Sequence, residues 1–245
     1  MYQERTYRNL VNTEKLLTFR VVVKETDLLV HADKKLEHET RELVLEHRGY
    51  VEAYIKAHPD FAAALTPWRL DGPAAAIVVD MIKAGENAGV GPMAAIAGAL
   101  AEHAGIGLLK SSDHVIVENG GDVFIKTDTP LTVGIFAGKS PLSLRIGIRV
   151  SGSPKPMAVC TSSGTVGHSL SFGKADAVCV VADSCVIADA AATSIGNQIQ
   201  SIADIEYAIG KGKCIEKIQG IIIIVGEKMG IWGDLEVVTL QGKNA

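Results

Sequence analysis

At 245 residues, with 47% hydrophobic and 21% charged residues, the chain has an ordinary globular composition, which argues against disorder. The formal net charge is −4 and the basic residues are scattered, so the basic stripe of a nucleic-acid binder is missing. Mean hydropathy is +0.22, yet no apolar run approaches the ~20 residues of a spanning helix and the MYQERTYRNL start carries no secretory signal, so a cytoplasmic, non-membrane protein is expected.

Thr18 to Val23 and Asp27 to His31 read as a strand pair around the polar turn Lys24–Glu25–Thr26. A charged amphipathic helix follows, from about Asp33 to Ala57, with Leu36, Leu43, Leu45, Val51 and Ile55 as its intermittent apolar face. His58 and Pro59 end it. Pro73 suits the first turn of a second helix, Ala74 to Ala84. A glycine-rich joint, Gly85 to Gly91, leads to a third helix from Pro92 to His103, whose small residues permit close backbone approach. Strands are expected at His114 to Glu118, Val123 to Thr127, Thr132 to Phe136, Ser143 to Val150, Met157 to Cys160 and Ala177 to Ala182. The last runs into an alanine-rich helix beginning at Cys185, and a further helical stretch covers Ile202 to Gly210. Ile221 to Val225 reads as a buried strand, with Leu235 to Leu240 as its partner across a glycine-rich hairpin. This order predicts an α+β fold with a mostly antiparallel sheet, as one domain or two fused repeats. It lacks the GxGxxG or P-loop that a nucleotide-binding parallel fold would carry.

Three segments could carry chemistry. The first is VENGGD, Val117 to Asp122. Asn119–Gly120 is a hairpin signal, because a tight turn needs positive φ. Alternatively, Gly120–Gly121 lets a ligand touch the backbone, with Glu118 and Asp122 as ribose-hydroxyl acceptors or metal ligands. The second is CTSSG, where Ser162, Ser163 and Gly164 form either a solvated polar turn or a phosphate cradle. His168 follows in GHSLSFG and would be a general base or phosphate partner beside such a cradle. The third is CVIADAAATSIGN, where Asp189 and Thr193 share one helix face at i, i+4. A hard cation such as Mg2+ suits that carboxylate and hydroxyl; equally, an aspartate near a helix start can serve as a cap. Of the four cysteines, Cys179 reads as packing, whereas Cys160 and Cys185 flank the candidate site. Cys185 lies at a helix N-terminus, which is expected to lower a thiol pKa. No CxxC spacing or histidine cluster supports a zinc site.

Taken in order, VENGGD, TSSG and ADAAAT resemble the "nlGGD", "sTSG" and "ADAxxT" segments of the ApbE superfamily, the FAD:protein FMN transferases. Gly91 to Glu102, GPMAAIAGALAE, resembles that family's "GGIAKGYAvD" helix, and the N-terminal third looks like its short, cytosolic UPF branch. The resemblance implies tandem T-fold-like units, each an antiparallel sheet with helices on one face. It also implies Mg2+ held by Asp189, Thr193 and the carbonyl of Ala94 beside an FAD, FMN or other nucleotide pyrophosphate. Asp122 and Ser163–Gly164 would line the nucleotide site, and a protein would be the acceptor. Two departures stand out. The family's H-x-I-D-P-x-T-G segment has shrunk to His168–Gly173, with Ser171 and Phe172 replacing its aspartate and proline, and the lysine of "AKG" is missing. The short branch is also associated, by resemblance, with sulfide assimilation and homocysteine formation, in which Cys160 or Cys185 would carry sulfur to a partner. A non-catalytic oligomeric scaffold is the third expectation, and a homo-oligomer is expected in general.

Overall fold

The computed structural model describes residues 16–165 and 171–240. The chain begins with β1 (Leu17–Val23) and β2 (Thr26–Ala32), then three helices, α1 (Glu37–Ala57), α2 (Ala76–Ala88) and α3 (Ile96–Leu108). Strands β3 (Val115–Asn119) and β4 (Asp122–Lys126) close this first half. The second half repeats the plan: β7 (Met157–Ser162) and β8 (Ala177–Ala182), helices α4 (Cys185–Gly196) and α5 (Ile205–Gly212), then β9 (Ile218–Val225) and β10 (Lys228–Gly233). Both halves lie in one eight-stranded sheet, ordered β1-β2-β3-β4-β7-β8-β9-β10. Every neighbouring pair in it is antiparallel. The join between halves is the β4–β7 pair, in the middle of the sheet.

Strand alternation assigns the faces. On β3, Val115 and Val117 join the core under the helices, whereas Ile116 joins a second core on the opposite face. That second face is covered by β5 (Leu131–Gly134), β6 (Ile146–Val150) and β11 (Glu236–Thr239), a three-stranded sheet ordered β11-β6-β5. Because both faces are covered, β8 reads AVCVVA and is buried at every position. The helix layer packs through small residues: Gly98, Ala99, Ala101, Ala104 and Gly105 on α3, and Ala188, Ala190, Ala191 and Ala192 on α4 are all buried. No helix among the described residues is long and apolar enough to cross a membrane.

Several expectations shift. The segment Leu235 to Leu240 does not pair with Ile221 to Val225. Residues Glu236–Thr239 pair instead with Ile146–Arg149 in the small sheet. The partner of β9 is β10, whose KMGIWG sequence has no clear strand pattern; Gly230 lies against Ile205 and Ile209, where a side chain would collide. Helix α1 buries Thr40, Val44, Val51 and Tyr54, so the expected core residue Leu45 faces outward, being 47% exposed. The third helix opens as a 3-10 turn, Pro92–Ala95, before α3.

Candidate functional site

The segments VENGGD, CTSSG and ADAAAT meet where the two halves join. Gly120 and Gly121 form the turn between the paired residues Asn119 and Asp122. Their φ values of 71° and 118° are disfavoured for residues with a β-carbon. Among the described residues, a β-carbon on Gly121 would touch only Thr161, the nearest atom being its carbonyl oxygen at 3.5 Å, so they leave the backbone there open to approach. Asn119 and Asp122 are on the sheet face under the helices. The Asn119 Nδ2 donates to the Ala97 carbonyl at 3.0 Å and so ties the turn to α3. Asp122 is buried, and its Oδ1 has no hydrogen-bond partner among the described residues. Burial pushes the Asp122 carboxyl well above the usual range and the charge of Asp189 adds to this, against the Cys160 thiol and the Thr161 amide. Glu118 is on the opposite face by alternation, so it does not flank the turn together with Asp122.

Asp189 projects from the second turn of α4 toward the start of α3. Its Oδ2 accepts the Gly98 amide at 2.8 Å, and burial pushes its carboxyl up to about 7 against the amides of Gly98 and Ala97. Asp189 is therefore a helix cap, but of α3 rather than of its own helix. The start of α4 is held by Glu102 of α3. The Glu102 Oε2 accepts the Ser184 hydroxyl at 2.8 Å, the Cys185 amide at 2.5 Å and the Val186 amide at 3.1 Å. Only glycine at position 98 permits this approach, since a β-carbon would collide with the Cys185 carbonyl oxygen. Thr193 follows one turn after Asp189 and is half-buried. The 3-10 turn containing Ala94 packs against α4.

Cys160 Sγ lies 3.3 Å from Cys185 Sγ, and both thiols are free and buried. Burial pushes Cys185 up to about 11 and Cys160 well above its usual value, so the helix N-terminus does not dominate as the sequence suggested. Loss of hydration is the largest cause at Cys185, and the charges of Asp122, Glu102 and Asp189 add to it against the Cys160 hydrogen bond.

The serine turn closes the third side. Ser162 ends β7, and the Ser163 Oγ accepts the Thr165 amide at 3.1 Å. The Gly164 amide donates to the Ala175 carbonyl at 2.9 Å. Gly164, Gly173 and Gly196 stack backbone to backbone, leaving no room for a β-carbon at Gly164 or Gly173. Ser171 to Gly173 is pinned to the end of α4, with the Phe172 amide on Asn197 Oδ1 at 3.0 Å and the Phe172 carbonyl on Gln200 Nε2 at 2.8 Å. His168 lies outside the described residues.

Asp122, Asn119, Gly120, Gly121, Ser162, Asp189 and Cys160 thus gather around one junction, and Glu118 is separated from it by the sheet. Glu102 was not visible as a site residue, because nothing local links it to a helix start some eighty residues later. Among the described residues no three His, Cys, Asp or Glu side chains converge on a metal position. A cation here would need a mixed set of carboxylate, hydroxyl and carbonyl oxygens. Mg2+ accepts such a set, and Asp122 Oδ1, unpartnered among the described residues and beside Asp189, fits it.

Two antiparallel strand–helix–strand units in one sheet, with GGD, SSG and ADAxxT segments at their junction, define an ApbE-like α+β protein. A family model described as "AbpE bacteria" matches residues 8–214. A UPF0280 protein of Methanococcus aeolicus is 40% identical over 226 residues, covering 88% of this chain and 90% of that protein. The UPF0280 protein MJ1526 of Methanocaldococcus jannaschii is 40% identical over 224 residues, covering 88% of this chain and 90% of its own. The chain belongs to the ApbE-like superfamily, in its UPF0280 branch. Among solved structures, the flavinyl transferase ApbE of Pseudomonas stutzeri aligns with a TM-score of 0.51 at 14% identity, covering 89% of this chain and 94% of that one. The apbe protein of Thermotoga maritima aligns with a TM-score of 0.54 at 14% identity, over 88% and 96%. At those identities the likeness establishes the fold.

Proposed function

We propose that the chain binds Mg2+ and a phosphorylated flavin-type or other nucleotide at the junction of its two halves, and acts there as a flavin-related transferase. The observation that carries this reading is the buried Asp122 Oδ1, without a hydrogen-bond partner among the described residues, beside Asp189 at the meeting point of the three segments. A buried carboxylate oxygen without a donor is costly, and a cation or ligand hydroxyl would satisfy it. Asp189, Thr193 and the Ala94 carbonyl are the proposed Mg2+ ligands, and the bound cation would neutralise a pyrophosphate. Gly120 and Gly121 give the ligand access to backbone, and Ser162, Ser163 and Gly164 supply hydroxyl and turn groups for a phosphate or ribose. Asn119 holds the glycine turn in place through Ala97. His168 is the proposed proton acceptor, and a protein or a small molecule is the acceptor of the transferred group. The relatives solved as flavin transferases support the flavin reading by fold.

A cytoplasmic homo-oligomer belongs to the same proposal, supported by β1 and β10, each of which ends the large sheet with an open edge among the described residues. The test is FAD or FMN binding followed by flavin fluorescence, with Mg2+ or with a chelator. Binding should require Mg2+, and Asp189→Asn should weaken it at least ~10-fold while the protein stays folded. Equal binding by wild type and Asp189→Asn would remove Asp189 from the site. The buried, high-pKa thiols give no comparable support to a sulfur-carrying role for Cys160 or Cys185.

A further inference from the structure

We propose that Glu102 is the positioning residue of the cation site, fixing Asp189 through a reciprocal clamp between α3 and α4. This rests on the reading that Asp189 binds Mg2+. Neither helix caps itself: Ala95 before α3 and Ser184 before α4 make no side-chain cap hydrogen bond. Each is capped by a carboxylate from the other. Glu102 takes the amides of Cys185 and Val186 and the Ser184 hydroxyl. Asp189 takes the amide of Gly98.

The two contacts mirror each other. Gly98 and Glu102 stand at i, i+4 on α3, Cys185 and Asp189 at i, i+4 on α4, and each carboxylate reaches the other helix's amide. Residues at that spacing share a helix face, so one contact face carries both exchanges. At its centre Gly98 brings the two backbones together.

The carboxylates nevertheless have different surroundings. Asp189 stands beside Asp122, and Thr193 lies one turn further along its face. Glu102 makes three hydrogen bonds through one oxygen at the start of α4. The geometry makes Glu102 the anchor and Asp189 the ligand. The proposed donors come from both helices: the Ala94 carbonyl from the turn entering α3, and Asp189 and Thr193 from α4. Their relative placement depends on the α3–α4 register, which Glu102 sets from its side. Outer residues that orient metal ligands commonly govern affinity without touching the ion.

The test compares wild type, Glu102→Gln and Glu102→Ala. Mg2+ affinity is read by titration calorimetry without nucleotide, and exchange of the Gly98 amide by NMR without metal. Glu102→Gln keeps an acceptor oxygen and should hold Mg2+ within about threefold of wild type. Glu102→Ala removes the acceptor and should weaken Mg2+ by ~10–100-fold. In metal-free protein its Gly98 amide should exchange faster, because Asp189 is no longer held against it. A merely structural glutamate would lower the melting temperature and leave both readouts of the folded protein unchanged. Wild type that binds Mg2+, with Glu102→Ala binding it equally well, overturns the positioning role alone. Wild type that binds no Mg2+ overturns the cation site and the inference together. An unchanged Gly98 exchange rate in Glu102→Ala overturns the clamp whatever the metal does.

Discussion

Asp189 Oδ2 sits 2.8 Å from the Gly98 amide, so the carboxylate at the candidate site is held by the first turn of a helix in the other half of the molecule. The contact exists because residue 98 has no side chain. A β-carbon there would collide with the Cys185 carbonyl and lie 2.8 Å from the Asp189 β-carbon. Backbone cannot rotate away as a flexible side chain does, so the two helices would have to separate.

Gly98→Ala should therefore destabilise the protein by about 1–3 kcal/mol, the usual range for overpacking, despite alanine's better helix propensity. Urea denaturation followed by circular dichroism measures this. A neutral or stabilising result would mean that α3 and α4 separate freely at this point.

The thiols divide sharply by environment. Cys160, Cys179 and Cys185 are buried, and Cys214 is exposed. Burial pushes Cys179 up to about 12 and Cys185 up to about 11. Iodoacetamide at neutral pH should label Cys214 in the native protein and reach the other three only after denaturant is added. Peptide mass spectrometry reads the pattern. Rapid native labelling of Cys160 or Cys185 would instead revive the sulfur-carrying reading.

A polar cluster far from the candidate site gives a pH prediction independent of any metal. Asp33 Oδ2 accepts the Ser112 hydroxyl at 2.8 Å and the Asp113 and His114 amides at 2.9 Å, while its Oδ1 meets His114 Nδ1 at 2.9 Å. Burial raises its carboxyl, but the His114 amide and ring and the Ser112 hydroxyl outweigh this and hold it at about 2. The folded pKa lies below the unfolded one, so the unfolded state binds the proton first. The stabilisation is complete above the unfolded value and is lost as pH falls through the folded one. Asp33→Asn should be less stable than wild type at neutral pH, and the gap should narrow between about pH 4 and pH 2. Melting temperatures across that range measure it; a constant gap would mean that the charge contributes nothing.

Local pattern carried much of the fold. The apolar run Ala177 to Ala182 is β8, and the alanine-rich stretch from Cys185 is α4. The β1–β2 and β3–β4 hairpins followed from alternation and turn residues. Long-range pairing did not follow. Glu236–Thr239 joins β6, nearly ninety residues earlier, and no sequence signal near either strand specifies that partner. The KMGIWG strand has no alternating apolar pattern, and its Gly230 serves close packing against Ile205 and Ile209 rather than turning. At the site, the ordered segments were legible, and so was the shared face of Asp189 and Thr193. The sequence offers Asp189 as a cap of α4's own start or as a cation ligand, whereas its carboxylate caps α3. Glu118 and Asp122 flank the turn in sequence, yet the two-residue turn and strand parity place them on opposite faces.

On the proposed reading, Asp189 and Thr193 hold a divalent cation beside Asp122. A crystal soaked in Mn2+ as a Mg2+ surrogate, with anomalous diffraction measured above the manganese edge, locates that cation. A peak is expected within coordination distance of an Asp189 carboxylate oxygen and the Thr193 hydroxyl, absent from the Asp189→Asn crystal. A fully soaked wild-type crystal with no peak there, or with manganese only at other carboxylates, would contradict it.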